Sequence, residues 1–89
     1  MPNSETVWSR IKNHQGAIFE TKTGKDFTFE ISGNVFNPSR TKYNISKSDF
    51  EKVLPLVPLD GPGTISNLVR GSAYIWAVLH DPRIRKQEW

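Results

Sequence analysis

His14 and His80 are the side chains best suited to moving protons near neutral pH. His14 falls at the end of a helical pattern, and His80 directly precedes Asp81 and Pro82. Neither has a second histidine three to five residues away, the spacing with which a chain presents two imidazoles to one metal ion. Asp81 could orient His80 as a general base, but adjacent residues on a helix point in different directions. Both histidines are therefore read as surface or capping groups, a role that suits a cation near a helix C-terminus. The chain has no cysteine, which excludes disulfides, thiol nucleophiles and Cys-ligated metal centres. Gly61, Pro62 and Gly63 lead into Thr64, where a helix start could offer N–H groups to an anion. Pro62 removes one such donor, however, and no Lys-Ser or Lys-Thr follows, so this is not a phosphate loop. Glu20 and Glu30 fall at solvent-facing strand positions and make no convincing acid–base pair. These residues predict a protein that is not an enzyme and carries no metal and no cofactor.

Binding chemistry is better represented. The formal charge is +3, a bias that permits a nucleic-acid or acidic partner without requiring one. Residues 37–48 hold Arg40, Lys42 and Lys47 and no acid, and residues 83–86 add Arg83, Arg85 and Lys86. Residues 20–30 mix Lys22 and Lys25 with Glu20, Asp26 and Glu30 and so read as neutral surface. Tyr43, between Lys42 and the next helix, offers a face on which an unpaired base can stack. Two short helical pieces meeting at Gly71 have the outline of a helix–turn–helix, but the second is too apolar to read DNA. Arg70 can still grip phosphate at its start. The expected contact set for nucleic acid is thus Arg40, Lys42, Tyr43, Lys47, Arg70, Arg83, Arg85 and Lys86. An alternative is a protein-interaction or regulatory domain, including a homodimer. Three Trp, two Tyr and five Phe are more than so short a chain is expected to bury, and an exposed aromatic cluster marks an interface. Trp89 is the ring expected to stand free or to dock on another chain.

The elements that must hold these residues follow from periodicity. Asn3 or Ser4 caps a helix over residues 4–14 with Val7, Trp8 and Ile11 on one face, and Gly16 ends it. Residues 17–22 are β-prone, and Thr23, Gly24 and Lys25 make a turn. Residues 26–31 alternate, with Phe27, Phe29 and Ile31 on one side. A turn at Gly33 leads to a short strand that Pro38 should stop or push to an edge. Ser46 then opens a helix, with Asp49 as its capping-box partner and Phe50, Val53, Leu54 and Val57 inward. Thr64 starts another with Ile65, Leu68 and Val69 inward, and Ser72 starts a last one ending at Asp81 and Pro82.

The fold class is α+β: an N-terminal helix, a three-stranded antiparallel meander over residues 17–37, then two to three C-terminal helices packed on one face of the sheet. Its 89 residues suit a single small domain, with residues 83–89 as a flexible basic tail. No apolar run spans a membrane, no leader pattern is visible, and the lack of cysteine points to the cytoplasm. A Trp-bearing helix, a Gly-Lys hairpin and a terminal Tyr-Ile-Trp helix resemble small bacterial or phage domains in style, but no motif names a family.

Overall fold

Asn3 caps the first helix, α1 (Ser4–Asn13), by accepting the Thr6 N–H at 2.8 Å. Glu5 in the first turn and Arg10 and Lys12 in the last complement the helix dipole. Val7, Trp8 and Ile11 form its buried face, as their spacing requires. The chain turns at Gly16 with φ +87°, and the Gly16 N–H reaches the Phe29 carbonyl at 2.9 Å. The computed structural model describes residues 3–42 and 44–89.

The strand region has the expected alternation but divides into two ladders. β1 (Phe19–Glu20) pairs antiparallel with β2 (Asp26–Phe27), joined by a turn in which Gly24 takes φ +89°. β3 (Phe29–Ser32) pairs with β4 (Val35–Pro38), and β4 with β5 (Ile45–Ser46). The three-stranded antiparallel sheet is therefore β3-β4-β5 rather than a meander over 17–37. The division falls at Thr28, whose N–H goes to the Ser39 hydroxyl (3.0 Å) and whose carbonyl takes the Ser39 N–H (2.8 Å). One continuous alternating run thus feeds two partners. Phe29, Phe36 and Ile45 lie on the covered face of the sheet.

After β5 comes α2 (Lys47–Val53), continued by a 3-10 turn at Leu54–Leu56 where Pro55 ends regular helix. The expected capping box at Ser46 is not made. Its hydroxyl bonds Ser48 at 2.8 Å instead, and the Lys47 N–H goes to Asn34. Residues 64–69 form no helix either. A 3-10 turn at Pro62–Ile65 is followed by one α-type bond, Val69 N–H to Ile65 O at 3.2 Å. Proline and glycine on both sides leave too few residues to nucleate a helix, and Leu68 stays exposed. The last long helix is α3 (Ser72–Leu79), entered through left-handed Gly71 at φ +74°. Asp81 ends it and caps α4 (Pro82–Arg85), accepting the Arg83 N–H at 2.9 Å.

Residues 82–89 fold back on the body. Ile84 is fully buried, Arg10 donates to its carbonyl at 2.9 Å, and Arg10 also pairs with Glu88. Trp89 does not stand free: its indole N–H donates to the Leu79 carbonyl at 2.7 Å. The core is aromatic to an unusual degree. Ring contacts at 4.5–6.1 Å run from Trp8 through Phe50, Phe36, Phe29, Phe19 and Phe27 to Tyr74. Among the described aromatics every ring is buried or half-buried, so they supply no exposed cluster. Among the described residues no helix is long and apolar enough to cross a membrane.

Phe36, fully buried between Phe29 and Phe50, is the ring the sheet face depends on. Phe36→Ala is expected to cost about 3–5 kcal/mol of unfolding free energy. Leu68→Ala, at an exposed position, should stay within about 0.5 kcal/mol. Urea denaturation of both variants checks the contrast; equal losses would contradict this description of the core.

Candidate functional site

The β1–β2 turn is built by Thr21. Its N–H bonds the Lys25 carbonyl at 2.9 Å, and its buried hydroxyl accepts the Lys25 N–H at 3.1 Å. The hydroxyl of Thr23 lies 3.2 Å from that of Thr21. This closes the turn tightly and leaves Lys22 and Lys25 at its exposed flanks. Arg40 arrives from the segment after β4, its Nε donating to the Asp26 carbonyl at 2.5 Å. That bond holds the guanidinium against the hairpin and leaves its terminal nitrogens for other acceptors.

Lys22, Lys25 and Arg40 then line one cleft of about 180 Å³ together with Thr21, Thr23, Pro62, Ala73 and Tyr74. No carboxylate lines it among the described residues. Tyr74 is fixed edge-on against Phe27, 5.0 Å between centroids, so the cleft wall is an extension of the core. Ala73 belongs to the first turn of α3, where backbone N–H groups lack intrahelical acceptors and the dipole is positive.

A second arrangement fixes the opposite wall. Lys22 donates from Nζ to the Asp60 carbonyl at 2.6 Å and stands 5.8 Å over the Trp76 ring. A Cβ on Gly61 would lie 2.7 Å from that ammonium, so glycine here lets the lysine pass. Leu59, two residues before, is gripped twice. The Trp76 indole N–H donates to its carbonyl at 3.0 Å, and its own N–H donates to His80 Nε2 at 2.9 Å. The other imidazole nitrogen, Nδ1, lies 3.0 Å from the Trp76 carbonyl, which can only accept. Nδ1 therefore carries the proton and Nε2 is bare. The imidazole stacks on Trp76 at 4.7 Å and 13°. Burial pushes the His80 pKa below its ordinary value and the Arg85 charge adds to this, against the opposing pull of the Trp76 carbonyl.

The cations expected from the sequence go to separate places. Arg40 is in the cleft, and Lys42 is exposed on the same segment. Tyr43 lies outside the described residues. Lys47 is drawn into an ion pair with Glu5 of α1 and is only 15% exposed. Arg70 is exposed ahead of α3. Arg83 is spent on structure. Its Nε and one terminal nitrogen grip Asp81 at 2.9 and 3.0 Å, it donates to the Ile18 carbonyl at 2.8 Å, and it covers the Phe19 ring at 4.0 Å. Burial alone would raise the Asp81 carboxyl, but the Arg83 hydrogen bonds and charge hold it below the usual carboxylate range. Arg85 bonds the Trp89 carbonyl, and Lys86 is exposed where the chain turns left-handed at φ 49°.

The residues missed by sequence reasoning are Lys22 and Lys25. Glu20 and Asp26 made their stretch look neutral, yet those acids face each other one rung below the turn, on exposed positions. The Thr-Gly-Lys turn was the available signal, because a tight turn sets its flanking residues side by side. Among the described residues no three His, Asp or Glu side chains gather as metal ligands. No protein-family model, curated protein or solved structure matches this chain.

His80 makes stability depend on pH. Its pKa is lowered by folding, so the unfolded chain takes up a proton first as the medium is acidified. Stability contributed by the neutral imidazole is complete well above 6.5, falls as pH drops through that ordinary value, and levels off once the folded form protonates. Denaturant unfolding between pH 7.5 and about 5 should show this decline, and His80→Gln should flatten it. The depressed carboxylates Asp81 and Glu88 lose their contribution only at lower pH, so they do not mask the effect. A wild-type curve as flat as the variant's would contradict the neutral clamp.

Proposed function

We propose that this chain is a small, non-enzymatic nucleic-acid-binding module of the cytoplasm that holds the sugar–phosphate backbone at the β1–β2 cleft. The observation that carries the reading is the convergence of Lys22, Lys25 and Arg40 on one cleft without a carboxylate in its lining. Phosphate is the commonest acceptor of protein hydrogen bonds in nucleic-acid complexes, and Lys, Arg and Thr are among its usual donors. Lys42, exposed two residues beyond Arg40, extends the positive surface. Lys47 and Arg83 have only minor parts, since their charges are already matched by Glu5 and Asp81. Of the tail cations, Arg83 and Arg85 are engaged within the fold, and Lys86 is exposed.

The size of the electrostatic component follows. Three phosphate contacts give a slope of log K against log salt of about −3 for duplex and about −2 for single strands. Fluorescence anisotropy of labelled single- and double-stranded DNA and RNA, titrated at several salt concentrations, measures it. Combined replacement of Lys22, Lys25 and Arg40 by Ala should abolish saturable binding while circular dichroism stays unchanged. Lys47→Ala should leave affinity within about twofold of wild type, as expected for a charge outside the contact set. Absence of saturable binding to every probe at low salt would overturn the reading.

A further inference from the structure

The geometry points to a more specific ligand for the same cleft: a terminal phosphate, the phosphomonoester at the end of a single-stranded nucleic acid. This rests on the nucleic-acid reading and narrows it. The cleft measures about 180 Å³, below the roughly 300–1,000 Å³ of pockets that enclose a whole small molecule. That space suits a phosphate group, with the rest of a nucleotide lying outside it. Charge separates the two kinds of phosphate that could enter. An internal phosphodiester carries one negative charge, whereas a phosphomonoester carries about −1.5 to −2 near pH 7 and presents three strong acceptor oxygens.

The cleft offers three cations from two segments of chain: Lys22 and Lys25 on the two flanks of the hairpin turn, and Arg40 from the segment after β4. A single diester charge leaves that set under-compensated; a dianion matches it more closely. Two of the cations, Arg40 and Lys22, are also held in place before any ligand arrives. The Asp26 carbonyl orients Arg40, and the Asp60 carbonyl with the Trp76 face orients Lys22. Donors that are already ordered lose less entropy on binding. Ala73, in the first turn of α3, adds a wall whose backbone N–H lacks an intrahelical acceptor and whose helix dipole favours a dianion over a monoanion.

The test compares one single-stranded oligonucleotide in three forms: 5′-phosphorylated, 3′-phosphorylated, and with hydroxyls at both ends. Affinities are read by anisotropy at fixed ionic strength. A phosphorylated end is expected to tighten binding about tenfold, the scale of one added charge-assisted hydrogen bond. Whichever phosphorylated form gains identifies the end that enters. Inorganic phosphate, exchanged for chloride at constant ionic strength, should erase that gain. Gly61→Ala keeps every charge but puts a methyl group where the Lys22 ammonium lies, 2.7 Å away. It should shrink the end preference severalfold with the melting temperature unchanged. Lys25→Ala should do the same by removing a cation whose loss leaves the core untouched. If all three forms bind equally, the terminal-phosphate inference is overturned while the nucleic-acid reading stands. If none binds, both fail together.

Discussion

The ring of Phe36 touches Phe29 on one side and Phe50 on the other, and through them it joins every layer of the molecule. The same file of rings reaches Trp8 in α1 at one end and Tyr74 in α3 at the other. A chain of 89 residues has little apolar surface to bury, so it depends on large side chains that each bring much area inside. Offset and edge-on contacts add to that burial and also fix orientation. The consequence reaches the surface, because Tyr74 is both the last ring of the file and a wall of the basic cleft. Core packing and cleft shape are two ends of one structure.

The second constraint is the double grip on Leu59. A backbone amide and carbonyl in a proline-rich stretch have no sheet or helix to satisfy them, and Trp76 and His80 of α3 and its C-cap do so instead. The grip holds residues 57–63 against α3 and so sets the place of the Asp60 carbonyl that orients Lys22. An imidazole can serve here only as a neutral acceptor, so the cleft's far wall depends on the protonation state of a residue that never enters it. The sequence placed His80 in a structural role, but the partner that makes the role informative lies 21 residues away.

Local chemistry made part of the structure legible. Asn3 as a cap, the alternation of Phe27, Phe29 and Ile31, and the turn at Gly24 follow from rules that act within a few residues. Elsewhere the deciding partners are remote. Ser46 reads as a helix start and Ile45 carries no period of its own, and the two become a strand only by meeting β4. Ile65, Leu68 and Val69 have helical spacing, but flanking prolines and glycines leave no length for a helix to nucleate. The cations divide in the same way. Lys47 is matched by Glu5, 42 residues earlier, which no count of charge along the chain reveals, and Arg83, paired with neighbouring Asp81, also reaches a carbonyl 65 residues earlier. Trp8 and the five Phe rings are likewise accommodated inside, because they pack on one another in place of competing for separate pockets.

The break at Thr28 separates a two-stranded hairpin from the main sheet, and the tip of that hairpin lies outside the apolar core. Phe19 and Phe27 anchor its base, whereas Lys22, Thr23, Gly24 and Lys25 are exposed and contribute nothing to the core. Lengthening the tip or altering its charge would therefore change the basic cleft far more than the fold. A scaffold so divided tolerates variation on one exposed turn and resists it in the core, so the charge and shape of the cleft can change in this protein through a handful of residues.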